Sequence, residues 1–170
     1  MKTRLLRNFV LFLLLIFGGL RAPAQILSAS VGINGLTCSQ CSRSVEMQWR
    51  KLPFVQEVEM NLEHTLGTLI FRSGSKVDLN AVAGAVRDAG FSVRSLEAKI
   101  DMEEIQVQDD RSFRIDNGVY VILNDAPLPK GIVSFLFTGK KFSAKKAAYH
   151  RSSLPKVRGN QVLYQVIAGS

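Results

Sequence analysis

The sequence predicts an α+β protein, with a βαββαβ unit in the first half and a small β-rich unit in the second. Three observations lead there. Apolar residues recur at every second position in several short runs of the first half, the period of a strand with one buried face. Between these runs lie two others whose apolar residues recur at helical spacing. Beyond Asp110 the helical period largely gives way to short strand-like runs separated by Gly, Pro, Asn and Asp turn signals.

Residues 1–24 read as a secretory signal. Lys2, Arg4 and Arg7 form a basic start, Phe9 to Leu20 is apolar, and Ala22-Pro23-Ala24 is a small-residue cleavage site. The apolar run of 12 residues is shorter than the ~20 a helix needs to span a bilayer, so export is expected in place of a membrane anchor. No Cys follows the cleavage point, which argues against a lipid anchor there. The expected location is the periplasm or the exterior, with no stable membrane insertion once the signal is removed.

Leu27, Ala29, Val31 and Ile33 alternate and predict the first strand. From Cys41 onward Val45, Trp49 and Leu52 share one helical face. Val58, Met60 and Leu62 alternate, as do Leu69 and Phe71, giving two strands joined by a turn near Glu63-His64. Asp78 is a fitting N-cap for a second helix with Leu79, Val82, Ala83 and Val86 on one side. Gly90 suits its C-terminal cap, and Phe91 to Leu96 reads as the last strand. This order is the split βαβ, or ferredoxin-like, arrangement. Each helix carries a single apolar stripe, so both are expected on one face of a four-stranded antiparallel sheet.

In the second half Ser112–Ile115, Gly118–Leu123, Gly131–Phe137 and Gln161–Ile167 read as strands, with turn signals at Asp116-Asn117-Gly118 and Pro127-Leu128-Pro129. Residues 143–150 predict one short helix. Such a set fits a small barrel or sandwich, an OB-like barrel among them. The formal charge is +8, and it falls to +4 without the first 24 residues. From Lys130 onward there are eight basic residues and no acidic ones, a solvated basic face more than a surface for an anionic or acidic partner, and no nucleic acid is expected.

The chemistry concentrates in Gly35-Leu36-Thr37-Cys38-Ser39-Gln40-Cys41, which holds the only two cysteines of the chain. One falls in the loop after the first strand and the other in the first turn of the first helix. Thiolate is the soft ligand that selects Cu(I), Zn(II) and similar ions. The helix amides and dipole direct positive charge at the pair and favour the thiolate form. Redox motifs and half zinc sites share a bare Cys-x-x-Cys, and export into an oxidising compartment leaves a disulfide open. The thioredoxin context of Trp-Cys-Gly-Pro-Cys is missing.

The surrounding residues resemble the heavy-metal-associated domain family, which includes copper chaperones, amino-terminal modules of metal-pumping ATPases and periplasmic mercury-binding proteins. Gly35, Thr37, Cys38 and Cys41 match its Gly-Met-Thr-Cys-x-x-Cys motif, with Leu36 where the family usually has Met. Leu52-Pro53-Phe54-Val55 resembles its Leu-Pro-Gly-Val, and Ala89-Gly90-Phe91 its closing Ala-Gly-aromatic. The resemblance covers residues 26–97, so it implies a heavy-metal-associated domain over 25–97 and a separate β-rich domain over 98–170. It implies Cys38 and Cys41 as metal ligands, Leu36 as a buried anchor of the loop, Thr37 as part of its support, and Phe91 as a shield beside the ion.

The expected function is an exported Cu(I) chaperone or scavenger that exchanges its ion with the cysteines of a metal-transporting ATPase or another metal-binding protein. Low coordination disfavours Zn(II), which takes four ligands in structural sites. Hg(II) accepts two thiolates equally well. The alternatives are a thiol–disulfide oxidoreductase and an interaction module with a vestigial metal site. His64 and His150 are single histidines read as surface residues, and Met47, Met60 and Met102 as packing. No catalytic constellation or phosphate-cradling loop is present, so an enzyme is not expected.

Overall fold

Strand β1 (Ile26–Asn34) lies at the middle of the first unit, paired antiparallel with β3 on one side and β4 on the other. The computed structural model describes residues 26–125, 127, 130–139, 141, 142, 155, 157 and 159–169. In chain order β1 is followed by α1 (Ser39–Arg50), β2 (Val55–Asn61), β3 (Leu66–Phe71), α2 (Leu79–Asp88) and β4 (Ser92–Asp101). This is the ferredoxin-like βαββαβ order. Then come β5 (Ser112–Ile115), β6 (Gly118–Ile122), β7 (Ile132–Thr138) and β8 (Val162–Ala168). The expected signal (1–24) and the expected helix at 143–150 lie outside the described residues.

The periodicities identify the core. Ala29, Val31 and Ile33 of β1 and Val45 and Trp49 of α1 are buried, as are Leu69 and Phe71 of β3 and Leu79, Val82, Ala83 and Val86 of α2. They form one cluster with the sheet. Trp49 ties the helices together, its indole Nε1 donating to the Val82 carbonyl at 3.0 Å. The caps act as expected. Asp78 accepts from the Asn80 amide at 2.9 Å, and Gly90 takes φ +88° after α2. The Gly90 and Phe91 amides then bond back to the Arg87 and Val86 carbonyls at 2.8 and 3.0 Å, the paired closure of a Schellman turn.

Two positions of the first unit depart from the alternation. Leu27 is half-buried while Ile26 takes the core place, because the register of β1 on β4 shifts between Ile26 and Ser28. Such a bulge moves a side chain to the other face. Leu62 lies beyond the end of β2, exposed in the turn to β3.

The second half does not curl into the expected OB-like barrel. Its strands extend the first sheet to eight, in the open order β2-β3-β1-β4-β7-β8-β6-β5. β4 runs past Leu96 to Asp101, so the expected boundary at residue 97 falls inside this strand. Leu96, Ala98 and Ile100 alternate into the core, giving β4 a second edge with an apolar face. β7 pairs with that edge, with Leu96 opposite Phe137 and Ala98 opposite Phe135. The face continues through Phe137 opposite Val166 and Val166 opposite Ile122. All pairings are antiparallel except β6 with β8. Among the described residues no helix is long and apolar enough to cross a membrane.

Candidate metal site

The site is built where β1 ends and α1 begins. Gly35 has φ +78°, a conformation open to glycine, and it turns the chain out of the sheet. The Thr37 amide returns to the Gly35 carbonyl at 3.0 Å. Between them Leu36 is fully buried in the core, so the loop is fastened from below while its outer residues stay accessible. Leucine fills the place of the family's methionine with similar apolar volume. Thr37, Cys38, Ser39 and Gln40 are exposed, and Cys41 is half-buried against the core.

Cys38 is the N-cap of α1, with extended backbone at φ −134° and ψ 154°. Its sulfur accepts from the Cys41 amide at 3.0 Å, and its carbonyl accepts from the Ser42 amide at 3.1 Å. Cys41 sits one turn in, its Cα 5.1 Å from that of Cys38. The two are joined as a disulfide in this structure. A pair close enough to bond is also close enough, once reduced, for both thiolates to meet one ion. The first turn of α1 contains no acidic residue, so no fixed carboxylate competes for the free amides of the helix end. Together these features make an accessible, anion-favouring dithiol.

The other expected residues fall as follows. Phe91 is half-buried and packed against the core as the last residue of the Schellman turn. His64 is exposed in the β2–β3 turn, its amide donating to Asn61 Oδ1 at 3.0 Å. His150 lies outside the described residues. No group of three His, Cys, Asp or Glu side chains able to hold a metal occurs among the described residues, so the cysteines stand there as a pair.

Sequence reasoning missed one supporting residue. Arg94 of β4 donates to Thr65 Oγ1 at 2.7 Å and to the His64 carbonyl at 3.0 Å. The Thr65 carbonyl accepts from the Ile33 amide at 2.9 Å, immediately before the loop. Arg94 thereby holds the β2–β3 turn against the end of β1. The motif gives no signal of this, because the three segments meet only in the folded sheet.

Comparison with known proteins places this geometry. The chain is 40% identical over 74 residues to Copper-transporting ATPase 1 of Rhizobium meliloti (strain 1021), a match covering 44% of this chain and 9% of that one. It is 34% identical over 70 residues to Copper-transporting ATPase 2 of the same organism, covering 41% and 8% respectively. The chain thus spans under a tenth of the length of these relatives. Among solved structures it is similar to the CopZ metallochaperone, at 24% identity and TM-score 0.37, over 39% of this chain and 97% of that one. Residues 30–92 match the family profile described as Heavy-metal-associated domain. Residues 30–92 of this chain, the Cys38-x-x-Cys41 loop among them, form a heavy-metal-associated domain.

Proposed function

We propose that the protein is an exported Cu(I) chaperone or scavenger, and that it works without catalysing a reaction. The observation that carries this reading is the placing of Cys38 and Cys41 across the N-terminus of α1, accessible above a core-anchored Leu36. In the reduced state the two thiolates hold Cu(I), the cargo, as soft ligands for a soft ion. Two ligands leave the ion open to an incoming thiolate, which adds before one of the first pair leaves. The partner is accordingly a protein bearing its own exposed cysteines, such as a metal-transporting ATPase. The identity with copper-transporting ATPases over this segment supports copper as the ion. The leader-like residues 1–24 support export.

The test is anaerobic titration of the reduced protein with Cu(I) against a competing chelator, for wild type, Cys38→Ser and Cys41→Ser. One equivalent should bind to wild type, and each variant should lose tight binding, since a serine hydroxyl is hard and poorly ionised. The circular dichroism of apo and variant proteins should stay native, because the core closes without either sulfur. Retained tight binding in either variant would move the ligands elsewhere, and an unfolded apo protein would make the metal structural.

The disulfide itself favours a second reading, a thiol–disulfide oxidoreductase. An insulin-reduction assay separates the two. Turnover there by a protein that takes up no Cu(I) would replace the chaperone with the oxidoreductase.

A further inference from the structure

A cavity of about 600 Å³ opens to solvent where the two halves of the chain meet, away from the cysteine loop. The loop before α2 supplies Lys76, Val77 and Asp78, the β5–β6 turn supplies Asp116 and Asn117, and β8 supplies Val162 and Tyr164. This volume lies in the range of small-molecule sites and far exceeds the need of a bare ion. Two carboxylates face one ammonium, so the lining carries a formal charge of about −1 at neutral pH.

The polar groups here are not consumed by the fold. Asp78 uses one oxygen, Oδ1, to cap α2. Tyr164 Oη accepts from Asn80 Nδ2 at 2.9 Å, which leaves its own proton to give. Behind it stands Tyr120, only 2% exposed, its ring stacked on Tyr164 with centroids 4.9 Å apart. Its hydroxyl end reaches back over Gly118, where an added Cβ would lie 3.0 Å from the oxygen. Gly118 follows Asn117 in the chain and pairs with Val162, and both of these line the cavity. Burial, then the neighbouring Tyr164, Asp116 and Asp78, push the Tyr120 phenol far up, so it remains a neutral donor or acceptor.

We propose that this cavity binds a small organic cation, one with an ammonium, amidinium or guanidinium head on an apolar or aromatic body. The head meets Asp78 and Asp116 through charge-assisted hydrogen bonds, with the Asn117 amide and the Tyr164 hydroxyl beside them. The body lies against Val77, Val162 and the Tyr164 ring, whose face also attracts cations. Lys76 is exposed on a flexible stem and can swing into water. The site stands apart from Cys38 and Cys41 and does not rest on their function.

The experiment is titration of the purified protein with benzamidine, followed by calorimetry and by shifts of the tyrosine NMR signals, with neutral benzamide as the control of equal shape. Benzamidine should bind saturably at one equivalent and benzamide should not. Asp116→Asn suits the turn, because asparagine tolerates the φ of +50° found there, and Asp78→Asn still caps the helix. Each should weaken benzamidine binding about tenfold, the size of one charge-assisted hydrogen bond. Cys38→Ser should bind benzamidine as wild type does. Equal binding of benzamide, wild-type affinity in both Asp variants, or no binding at millimolar benzamidine would overturn the proposal. So would calcium binding to the carboxylates that benzamidine fails to displace.

Discussion

Gly67 shows how single residues fix the relation of the first helix to the sheet. A Cβ built there would overlap Cζ3 and Cη2 at the edge of the Trp49 indole. That ring is fully buried and pinned by its bond to Val82, so it has little room to give way. Gly67→Ala should therefore cost about 1–3 kcal/mol, the usual penalty of overpacking. Denaturant unfolding followed by the fluorescence of Trp49, the single tryptophan, should show a lower midpoint at unchanged slope. An unchanged midpoint would mean that α1 slides freely on the sheet. Phe54 is the converse case. It stands where the resembling family has Gly, and it fills space against Phe71 with ring centroids 5.9 Å apart.

At the scale of elements, α2 and β8 are joined where the halves of the chain meet. The Asn80–Tyr164 hydrogen bond crosses from helix to strand. Tyr164 packs on Tyr120, Phe137 and Phe142 in one aromatic group. Burial first, and then the Asp78 charge, push the Tyr164 phenol from its ordinary 10.0 to about 12. Tyr120 is raised further, chiefly by burial. A raised acid holds its proton more tightly when folded, so its contribution to stability is complete below the unfolded value near 10. That contribution is lost as pH rises through the folded value. Stability should thus decline above pH 10, and absorbance titration of the phenolates should show Tyr164 ionising near 12, with Tyr120 ionising only on unfolding. Two normal titrations with the fold intact would place both rings in water.

For the molecule as a whole, the sheet leaves β2 and β5 as its edges, while β4 is covered on both sides. A chain ended at Asp101 keeps every element around Cys38 and Cys41 but bares the β4 edge and the ends of Leu96, Ala98 and Ile100. An open edge with an apolar face invites pairing with another copy. Such a truncated protein should still bind one Cu(I), yet melt lower than the full chain and self-associate. Thermal unfolding and sedimentation check this, and a monomer of unchanged melting temperature would show that the second half adds no support.

Most of the first unit was legible from local pattern. The alternation at Ala29 to Ile33, the helical stripes of Val45 with Trp49 and of Val82 with Val86, the Asp78 cap and the Gly90 turn each express an interaction between neighbours in sequence. The cysteine loop was legible for the same reason, since Gly35 to Cys41 is one continuous segment. The strands of the second half were also visible as runs, with Ser112–Ile115 matching its expected bounds. Their arrangement was not. Leu96-Glu97-Ala98-Lys99-Ile100 alternates plainly, but alternation reports only that a strand has a buried face, and not which strand lies beside it. Backbone amides pair with any edge, so the choice of β7 for β4, in place of closure into a barrel, came from matching Ala98 and Leu96 with Phe135 and Phe137, 37 and 41 residues further along the chain. The bulge at Leu27, the Arg94 clamp and the cavity between Asp78, Asp116 and Tyr164 belong to the same class. Each depends on groups that are distant in the chain and adjacent only in the folded sheet, where tertiary packing alone brings them together.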